Sequence, residues 1–333
     1  MKYRKLGSTD LQVSEVGFGV RPVSTDGRRK PDEYDAAKLL QTAHSLGITL
    51  FDTADVYGEG YGEEMLAKAL QAHRHEIIVA TKVGCDFYKK PPLFAMLKGR
   101  AQELTQNFTP QHIRFACEQS LKRLRSDYID LYQLHEPPLE VLQQGEMFHI
   151  LKELQKEGKI RYFGVVLKDP DAGAKELTAT LKETALASLQ YSYNLMDREL
   201  GPAITPVAHE RNIGVIVRDP HASGILDGSF SREAAEAQSE PLRDKALENL
   251  QKAKALEQFA RDRSLTLAQM SLKFCLKEKL VSSVLPSITK MEKLEEFAKA
   301  SEAGGVSEKD WVLVDELCRS ESISNAATKK SRK

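Results

Sequence analysis

Four residues whose side chains handle protons lie at or just past the ends of three short apolar segments. Asp52 and Tyr57 lie in FDTADVYG, Lys82 ends IIVATK, and His135 ends DLYQLH. A tyrosine hydroxyl is a proton donor but a weak acid, with an ordinary pKa of about 10. A neighbouring cation favours the phenolate form of a tyrosine, and Lys82 is the candidate for that cation. If the segments are adjacent parallel strands, the four side chains meet in one pocket.

This set of side chains suits the protonation of a carbonyl oxygen that becomes an alcohol, or the reverse step. A buried lysine is costly without a partner, so we expect Asp52 to pair with Lys82. His135 would hydrogen-bond the same substrate oxygen and orient it. The remaining reactant is a hydride, which a nicotinamide cofactor supplies. Taken singly, each residue has an ordinary structural explanation, and it is their joint position at strand ends that indicates an enzyme.

Eight apolar runs alternate with amphipathic helical stretches along the 333 residues. Most of the runs are continuously apolar, which is typical of strands buried on both faces. Eight strands that are each followed by a helical pattern predict an α/β fold, the (β/α)8 or TIM barrel, with catalytic residues at the C-terminal ends of the strands. The predicted strands are Val16–Phe18, Thr49–Ala54, Glu76–Lys82, Ile129–His135, Ile160–Val166, Leu186–Tyr191, Gly214–Arg218 and Val281–Pro286.

Tyr3–Leu6 and Leu11–Ser14 are predicted to form a β-hairpin that plugs the bottom of the barrel. An open doubly wound sheet is the alternative fold. It is disfavoured because no Gly-x-Gly-x-x-Gly turn follows a strand, and VGFGV at 16–20 has no helix start directly behind it. The predicted helices are Tyr34–Leu46, Glu63–Ala72, Pro110–Leu124, Leu142–Glu157, Ala172–Glu183, Pro202–Arg211, Ala246–Lys277 with a break near Ser264, Met291–Ala300 and Lys309–Arg319.

No linker-like stretch divides the chain, so we predict a single domain over residues 1–321 and a disordered, basic tail over 322–333. Three long loops on the predicted catalytic face, 21–32, 85–107 and 220–241, would shape a substrate pocket. Their aromatic and basic residues are candidates for an apolar pocket and for attraction of an anionic substrate. These residues are Phe87, Tyr88, Phe94 and Met96, and Arg28, Arg29 and Lys30.

Composition excludes several classes of function. Lys plus Arg and Asp plus Glu each number 48, so the net charge is zero and no nucleic-acid partner is expected. The four cysteines lack metal-ligand spacing and are too few for a disulfide framework, and no metal site is predicted. The first residues do not form a signal peptide, and no apolar run is long enough for a membrane span. We therefore expect a soluble cytoplasmic protein.

The motifs resemble those of the aldo-keto reductase superfamily over almost the whole chain. The matching segments are FDTADVYG (51–58), ATK (80–82), DYIDLYQLH (127–135) and LQxxYN (189–194). The resemblance implies a TIM barrel that binds NADP(H) across its mouth without a Rossmann domain. It also implies that Tyr57 is the general acid and base, that Lys82 and Asp52 tune it, and that His135 orients the carbonyl of a small-molecule substrate.

A phosphate site is expected at the start of the helix behind the last strand. Thr289 and Glu292 form a capping-box pattern that places the helix N-terminus there. The helix dipole favours an anion, and Lys290 and Lys293 add positive charge. An ordinary capped helix with exposed lysines is the alternative. These lysines and Arg218 favour NADP(H), and NAD(H) stays open.

The resemblance assigns individual contacts to the cofactor. It places Lys293 where a basic residue meets the adenosine 2′-phosphate, Glu296 where a carboxylate contacts the adenine, and Gln190 at the nicotinamide carboxamide. Asp52 lies close to the ribose side. The full set of residues that we assign to cofactor binding is Asp52, Gln190, Arg218, Pro220, Ser287, Lys293 and Glu296.

Several positions depart from the family pattern. The family's Gly-Val-Ser-Asn is here GVVL, so Val166 and Leu167 lack the side chains that bind the carboxamide. Each lost neutral hydrogen bond costs about 0.5–1.5 kcal/mol. The end of the seventh strand is RDPH, where Arg218 could stack on a ring, bind a phosphate or pair with an acid at the rim. Phe297 stands where the family often has Asn, and Ser287 where it has Gly or Lys.

Two other functions remain as alternatives. A cofactor-sensing regulatory subunit, as the β-subunits of potassium channels are in this superfamily, is favoured only by the weakened carboxamide site. A metal- or phosphate-dependent TIM-barrel lyase or hydrolase is disfavoured because the predicted strand ends lack His and carboxylate clusters. The sequence leaves the substrate and the oligomeric state open.

Overall fold

Eight parallel strands form the central sheet of the computed structural model, which describes residues 1–24, 33–88, 105–168, 170–198 and 200–319. Their order in the sheet follows their order in the chain. All eight predicted strands are confirmed, and three of them have the predicted bounds. The strands are β3 (Phe18–Gly19), β4 (Leu50–Asp52), β5 (Ile78–Val83), β8 (Ile129–His135), β9 (Ile160–Val166), β10 (Ser188–Ser192), β11 (Gly214–Arg218) and β12 (Val281–Leu285).

Hydrogen bonds between the residues just before β3 and the last strand, β12, close the sheet into a barrel. Val16 forms a parallel bridge with Val284. The Gly17 amide donates to the Val284 carbonyl, and the Val284 amide donates to the Glu15 carbonyl, each at 2.9 Å. This closure excludes the open doubly wound sheet, which has two free edges. The prediction that no helix follows VGFGV was wrong, since Arg21–Ser24 is helical, but four residues are too few for a crossover helix.

The helices surround the sheet and mostly follow the predicted segments. The predicted helix 142–157 is wrong in one respect, because Gly145, with φ 73°, ends one helix and begins a second. The break near Ser264 is confirmed. The helices are α1 (Arg21–Ser24), α2 (Glu33–Ser45), α3 (Tyr61–Leu70), α4 (Pro110–Leu124), α5 (Leu139–Gln144), α6 (Glu146–Lys156), α7 (Pro170–Thr180), α8 (Leu200–Glu210), α9 (Arg232–Glu236), α10 (Leu242–Arg261), α11 (Leu267–Lys277), α12 (Met291–Ala300) and α13 (Glu308–Arg319).

The predicted capping box at the start of α12 is also wrong. Lys290 is the N-cap residue, with the extended backbone angles φ −143° and ψ 155°, and no side chain caps the helix. Thr289 therefore precedes the cap position, and Glu292 is the second helical residue instead of the third. A capping box requires the third residue to reach back to the cap, so the two side chains are out of register by one residue.

The N-terminal hairpin plugs the bottom of the barrel as predicted. Strands β1 (Tyr3–Lys5) and β2 (Gln12–Ser14) pair antiparallel. Leu6 and Leu11 are buried and pack in one cluster with apolar residues from the barrel strands. Gly7 has φ 54°, and an added Cβ atom would lie 2.3 Å from the Gly214 nitrogen. The tight turn at Gly7 thus brings the hairpin against the start of β11.

The long loops of the catalytic face are described in part. A short antiparallel pair, β6 (Cys85–Asp86) and β7 (Thr105–Gln106), brackets the second loop, and the third contains α9. The loop residues Arg28, Arg29, Lys30, Phe94 and Met96 and the tail 322–333 lie outside the described residues. In the described ranges, every helix is too short or too polar to cross a lipid bilayer.

Substitution of Leu6 by alanine tests the hairpin plug. Leu6 is fully buried, so we expect Leu6→Ala to lower the free energy of unfolding by roughly 2–5 kcal/mol. Urea denaturation followed by circular dichroism measures this change. Leu242→Ala is the control, because Leu242 is 59% exposed and its loss should change stability by about 0.5 kcal/mol or less. Equal effects of the two substitutions would contradict a packed plug.

Candidate active site

A cavity of about 570 Å³ opens at the C-terminal ends of the barrel strands. All four predicted proton-handling residues line it, together with five of the other residues assigned to the cofactor. The cavity extends from the ends of β4, β5 and β8 to the segment between β12 and α12. Its lining includes Arg21, Asp52, Tyr57, Lys82, His135, Val166, Gln190, Ser192, Arg218, Pro220, His221, Asp227, Ser287, Thr289 and Lys293.

A buried ion pair lies at the base of this cavity. Lys82 is 1% exposed and Asp52 is 5% exposed. The Lys82 Nζ atom donates to Asp52 Oδ1 at 2.5 Å and to the Thr53 carbonyl at 2.6 Å. The two residues meet because β4 and β5 are parallel neighbours, with Asp52 opposite Ala80. The predicted pairing of Lys82 with Asp52 is confirmed.

Gln190, on the other side of the barrel, hydrogen-bonds the second carboxylate oxygen of Asp52. Its Nε2 atom donates to Asp52 Oδ2 at 3.0 Å. Both oxygens of Asp52 therefore accept a hydrogen bond, one from Lys82 and one from Gln190. Three strands, β4, β5 and β10, thereby hold the carboxylate in one orientation, and Gln190 itself lies in the cavity lining.

The Tyr57 ring lies above this pair, in the segment between β4 and α3. The Lys82 Nζ atom is 5.5 Å from the ring centroid, and the Arg21 guanidinium carbon is 5.9 Å from it. The ring meets the imidazole of His135 edge to face, with centroids 6.0 Å apart and an interplanar angle of 83°. Tyr57 is half-buried, so its ring borders the cavity beside one imidazole and two cations.

His135 is held in its neutral form. Burial, followed by the positive charges of Lys82, Arg218 and Arg21, lowers the pKa of His135 to about 3. A neutral imidazole carries one N–H donor and one acceptor nitrogen. The Nδ1 atom is buried without a hydrogen-bond partner among the described residues. The side chain can thus donate a hydrogen bond at neutral pH without carrying charge.

Arg218 lies at the rim of the cavity, next to Leu167, one of the positions that depart from the family pattern. One guanidinium nitrogen, Nη1, pairs with Glu136 Oε1 at 2.7 Å, and Nη2 donates to the Leu167 carbonyl at 3.2 Å. The side chains of Val166 and Leu167 are buried. The ion pair with an acid at the rim, one of the interactions considered for Arg218, is present, and the acid is Glu136.

A second ion pair lies at the far end of the cavity. The Lys293 Nζ atom contacts Asp227 Oδ2 at 2.6 Å. Burial raises the pKa of Asp227, but hydrogen bonds from Lys293 and Ser229 outweigh burial and leave it below the ordinary value. Glu296 is absent from the cavity lining, and its carboxylate accepts a hydrogen bond from the Thr266 hydroxyl at 2.6 Å.

Asp55 is a buried acid beside the site that the sequence analysis did not single out. It is fully buried, and neither carboxyl oxygen has a hydrogen-bond partner among the described residues. Burial, and then the negative charge of Glu63, raises the pKa of Asp55 well above its ordinary value. Its backbone amide donates to the Lys82 carbonyl at 3.2 Å. Asp55 is thus a buried acid whose protonated form is favoured by its surroundings. Its place within FDTADVYG was the signal by which the sequence could have singled it out.

The chain is similar to known proteins over almost its whole length. Residues 15–319 match the model of the Aldo/keto reductase family. The uncharacterized oxidoreductase YqkF of Bacillus subtilis is 33% identical over 312 residues, which are 93% of this chain and 94% of YqkF. The NADH-specific methylglyoxal reductase of Escherichia coli is 29% identical over 329 residues, which are 95% and 98% of the two chains.

A solved structure agrees in fold and in sequence. The holo form of aldo-keto reductase AKR11C1 from Bacillus halodurans superimposes with a TM-score of 0.78 at 30% identity. The match covers 95% of this chain and 96% of that chain. Together with the family model, which spans nearly the whole barrel, these findings show that the chain belongs to the aldo/keto reductase family, whose members are oxidoreductases that act on carbonyls with nicotinamide cofactors.

Proposed function

We propose that the protein reduces an aldehyde or ketone to an alcohol, with NADPH as the hydride donor and Tyr57 as the proton donor. The observation that carries the proposal is the buried Lys82–Asp52 pair beneath the Tyr57 ring, because a barrel gains little stability from a desolvated ion pair. Such a pair is instead a means of holding a positive charge next to a tyrosine.

Each of the four residues has a role in the proposed reaction. A nicotinamide cofactor, when bound, would provide the hydride that the carbonyl carbon needs. As the carbonyl oxygen gains negative charge, Tyr57 donates its hydroxyl proton to that oxygen. Lys82 stabilises the resulting phenolate, and Asp52 keeps Lys82 charged and oriented. Neutral His135 donates a hydrogen bond to the same oxygen and so positions the substrate.

The cavity residues fit a nicotinamide dinucleotide. Gln190 provides a side-chain amide in the cavity, which can hydrogen-bond the nicotinamide carboxamide. His135 also lines the cavity, and its buried Nδ1 atom has no hydrogen-bond partner among the described residues. At the opposite end, α12 begins without a side-chain cap, so its first amides and its dipole can receive a phosphate. The proposed cofactor residues remain Asp52, Gln190, Arg218, Pro220, Ser287, Lys293 and Glu296.

The preference for NADP(H) over NAD(H) rests on the lysines at the start of α12. Lys290 and Lys293 supply positive charge at the start of α12, which supports binding of a 2′-phosphate. Lys293 is already paired with Asp227, so the phosphate would compete with that carboxylate. The Escherichia coli relative is NADH-specific by name, and NAD(H) is therefore the second cofactor to be tested.

A cofactor-sensing protein with little turnover is the second candidate function. Val166 and Leu167 are the observation in its favour, because their buried apolar side chains cannot hydrogen-bond a carboxamide. Turnover on simple aldehydes and on methylglyoxal distinguishes a sensor from a reductase.

Tyr57→Phe tests the proposed proton donor. Loss of the hydroxyl should lower kcat by about 10²–10⁴-fold, the range for positioned proton transfer, while the Kd for the cofactor changes by less than about twofold. Steady-state kinetics and calorimetric cofactor titration measure the two quantities. Tyr61→Phe is the control, because Tyr61 is a half-buried tyrosine at the start of α3, outside the lining of this cavity. Unchanged kcat in Tyr57→Phe would contradict the assignment.

A pair of variants separates the catalytic role of Lys82 from its structural role. Lys82→Met leaves Asp52 buried without its lysine partner. The substitution should lower the activity, and it should lower the free energy of unfolding by roughly 3–5 kcal/mol. Adding Asp52→Asn removes the unpaired charge and should restore most of the stability. Kinetics and urea denaturation are measured on both variants. Recovery of activity in the double variant would mean that Lys82 serves only the fold.

Lys293→Met tests the cofactor preference. A hydrogen bond to a charged group contributes about 1.5–3 kcal/mol, so the Kd for NADPH should rise about tenfold or more while that for NADH changes by less than about twofold. Lys299→Met, an exposed lysine at the other end of α12, is the control. Tighter binding of NADH than NADPH by the wild type would refute the preference, whatever the variant does.

A further inference from the structure

A cluster of two histidines and one glutamate lies on the bottom of the barrel, away from the mouth. His44 is in the last turn of α2, and His73 ends the short 3-10 helix Gln71–His73 behind α3. Glu76 precedes β5. The neighbouring Gly47 carbonyl accepts a hydrogen bond from the Tyr3 hydroxyl of the plugging hairpin at 3.1 Å. The cluster therefore lies beside the hairpin, at the opposite face from Tyr57 and His135.

The three side chains converge on one point. His44 Nε2 lies 3.2 Å from Glu76 Oε2, and His73 Nδ1 lies 3.1 Å from Glu76 Oε1. The two imidazole rings are 4.3 Å apart between centroids and tilted by 34°. One potential ligand atom from each residue lies within 4.8 Å of the others. Distances of this size allow all three atoms to contact one ion after small rotations, because a Zn²⁺ ion takes nitrogen and oxygen ligands at about 2.0–2.2 Å.

We propose that His44, His73 and Glu76 bind one divalent transition-metal ion. Neutral imidazoles and a carboxylate form a ligand set that suits Zn²⁺, Ni²⁺ or Cu²⁺ and that Mg²⁺ and Ca²⁺ disfavour. The side chains are partly exposed, at 18%, 44% and 61% for His44, His73 and Glu76, so water can complete the coordination sphere.

The backbone adds to the attraction for a cation. Both histidines lie at the C-terminal ends of helical segments, where carbonyl groups carry partial negative charge. A bound ion would tie the end of α2 to the turn before β5 and so stabilise the bottom of the barrel.

A metal-free explanation of the same geometry exists and makes a different prediction. Protonated histidines at helix ends can pair with Glu76 without any ion. Exposed pairs of that kind contribute little to stability, and they would give the protein no selective affinity for transition metals. Binding measurements therefore distinguish a metal site from a set of ion pairs.

The experiment is calorimetric titration of EDTA-treated, dialysed protein with ZnCl₂, compared with MgCl₂. We expect one Zn²⁺ to bind per chain with an accompanying rise in Tm, and Mg²⁺ to give neither effect. His44→Ala and His73→Ala should each weaken Zn²⁺ binding at least tenfold. His75→Ala is the matched control, because this exposed histidine contacts the Tyr128 hydroxyl instead of the cluster, and it should bind as the wild type does.

Other outcomes would overturn the proposal. Zn²⁺ affinity that survives both His44→Ala and His73→Ala would place the ion elsewhere, for example at the half-buried thiols Cys85 and Cys318. Mg²⁺ binding as tight as Zn²⁺ binding would contradict the ligand chemistry, and absence of any Zn²⁺ binding would leave the ion-pair explanation. The Tm of each variant without metal confirms that it is folded.

Discussion

The buried Lys82–Asp52 ion pair is the interaction on which the organisation of the active site depends. A charged lysine at 1% exposure is unfavourable unless its charge is compensated. The barrel supplies compensation from three directions, with the Asp52 carboxylate, the Thr53 carbonyl and the amide of Gln190 that holds the carboxylate. Asp52 ends β4, Thr53 is the residue after it, and Gln190 lies in β10 on another side of the barrel. The four candidate residues therefore come together only when the barrel is closed around them.

An uncharged hydrogen-bond donor, His135, lies close to the positive charges around this pair. Burial and the charges of Lys82, Arg218 and Arg21 lower the pKa of His135 to about 3 and keep it uncharged at neutral pH, and burial raises the pKa of Asp55 well above its ordinary value. An imidazole of ordinary pKa, about 6.5, would titrate near neutral pH and change the charge of the pocket. Desolvation prevents this, so the positive charge beside Tyr57 stays constant while a carbonyl oxygen develops negative charge.

The rim of the cavity is built from ion pairs that a bound dinucleotide would have to rearrange or share. Arg218 pairs with Glu136, and Lys293 pairs with Asp227. The family resemblance made Lys293 a candidate for a phosphate contact, and the guanidinium made Arg218 another. Each has a carboxylate partner in the folded protein. The affinity for a cofactor therefore depends on the difference between its contacts with these basic residues and their existing contacts with carboxylates. For this reason the positions of lysine and arginine in the sequence do not by themselves decide between NADP and NAD.

The sequence by itself indicated the alternation of strands and helices, the barrel and the convergence of Asp52, Tyr57, Lys82 and His135, because continuous apolar runs and strand-end motifs are local signals. The cap of α12 was predicted one residue out of register, since a capping pattern does not fix which residue starts the helix. The tertiary structure alone decided the closure at Val16 and Val284, the partners of Arg218 and Lys293, and the meeting of His44 with His73. These contacts join residues far apart in the chain, and their geometry depends on how the helices and strands pack.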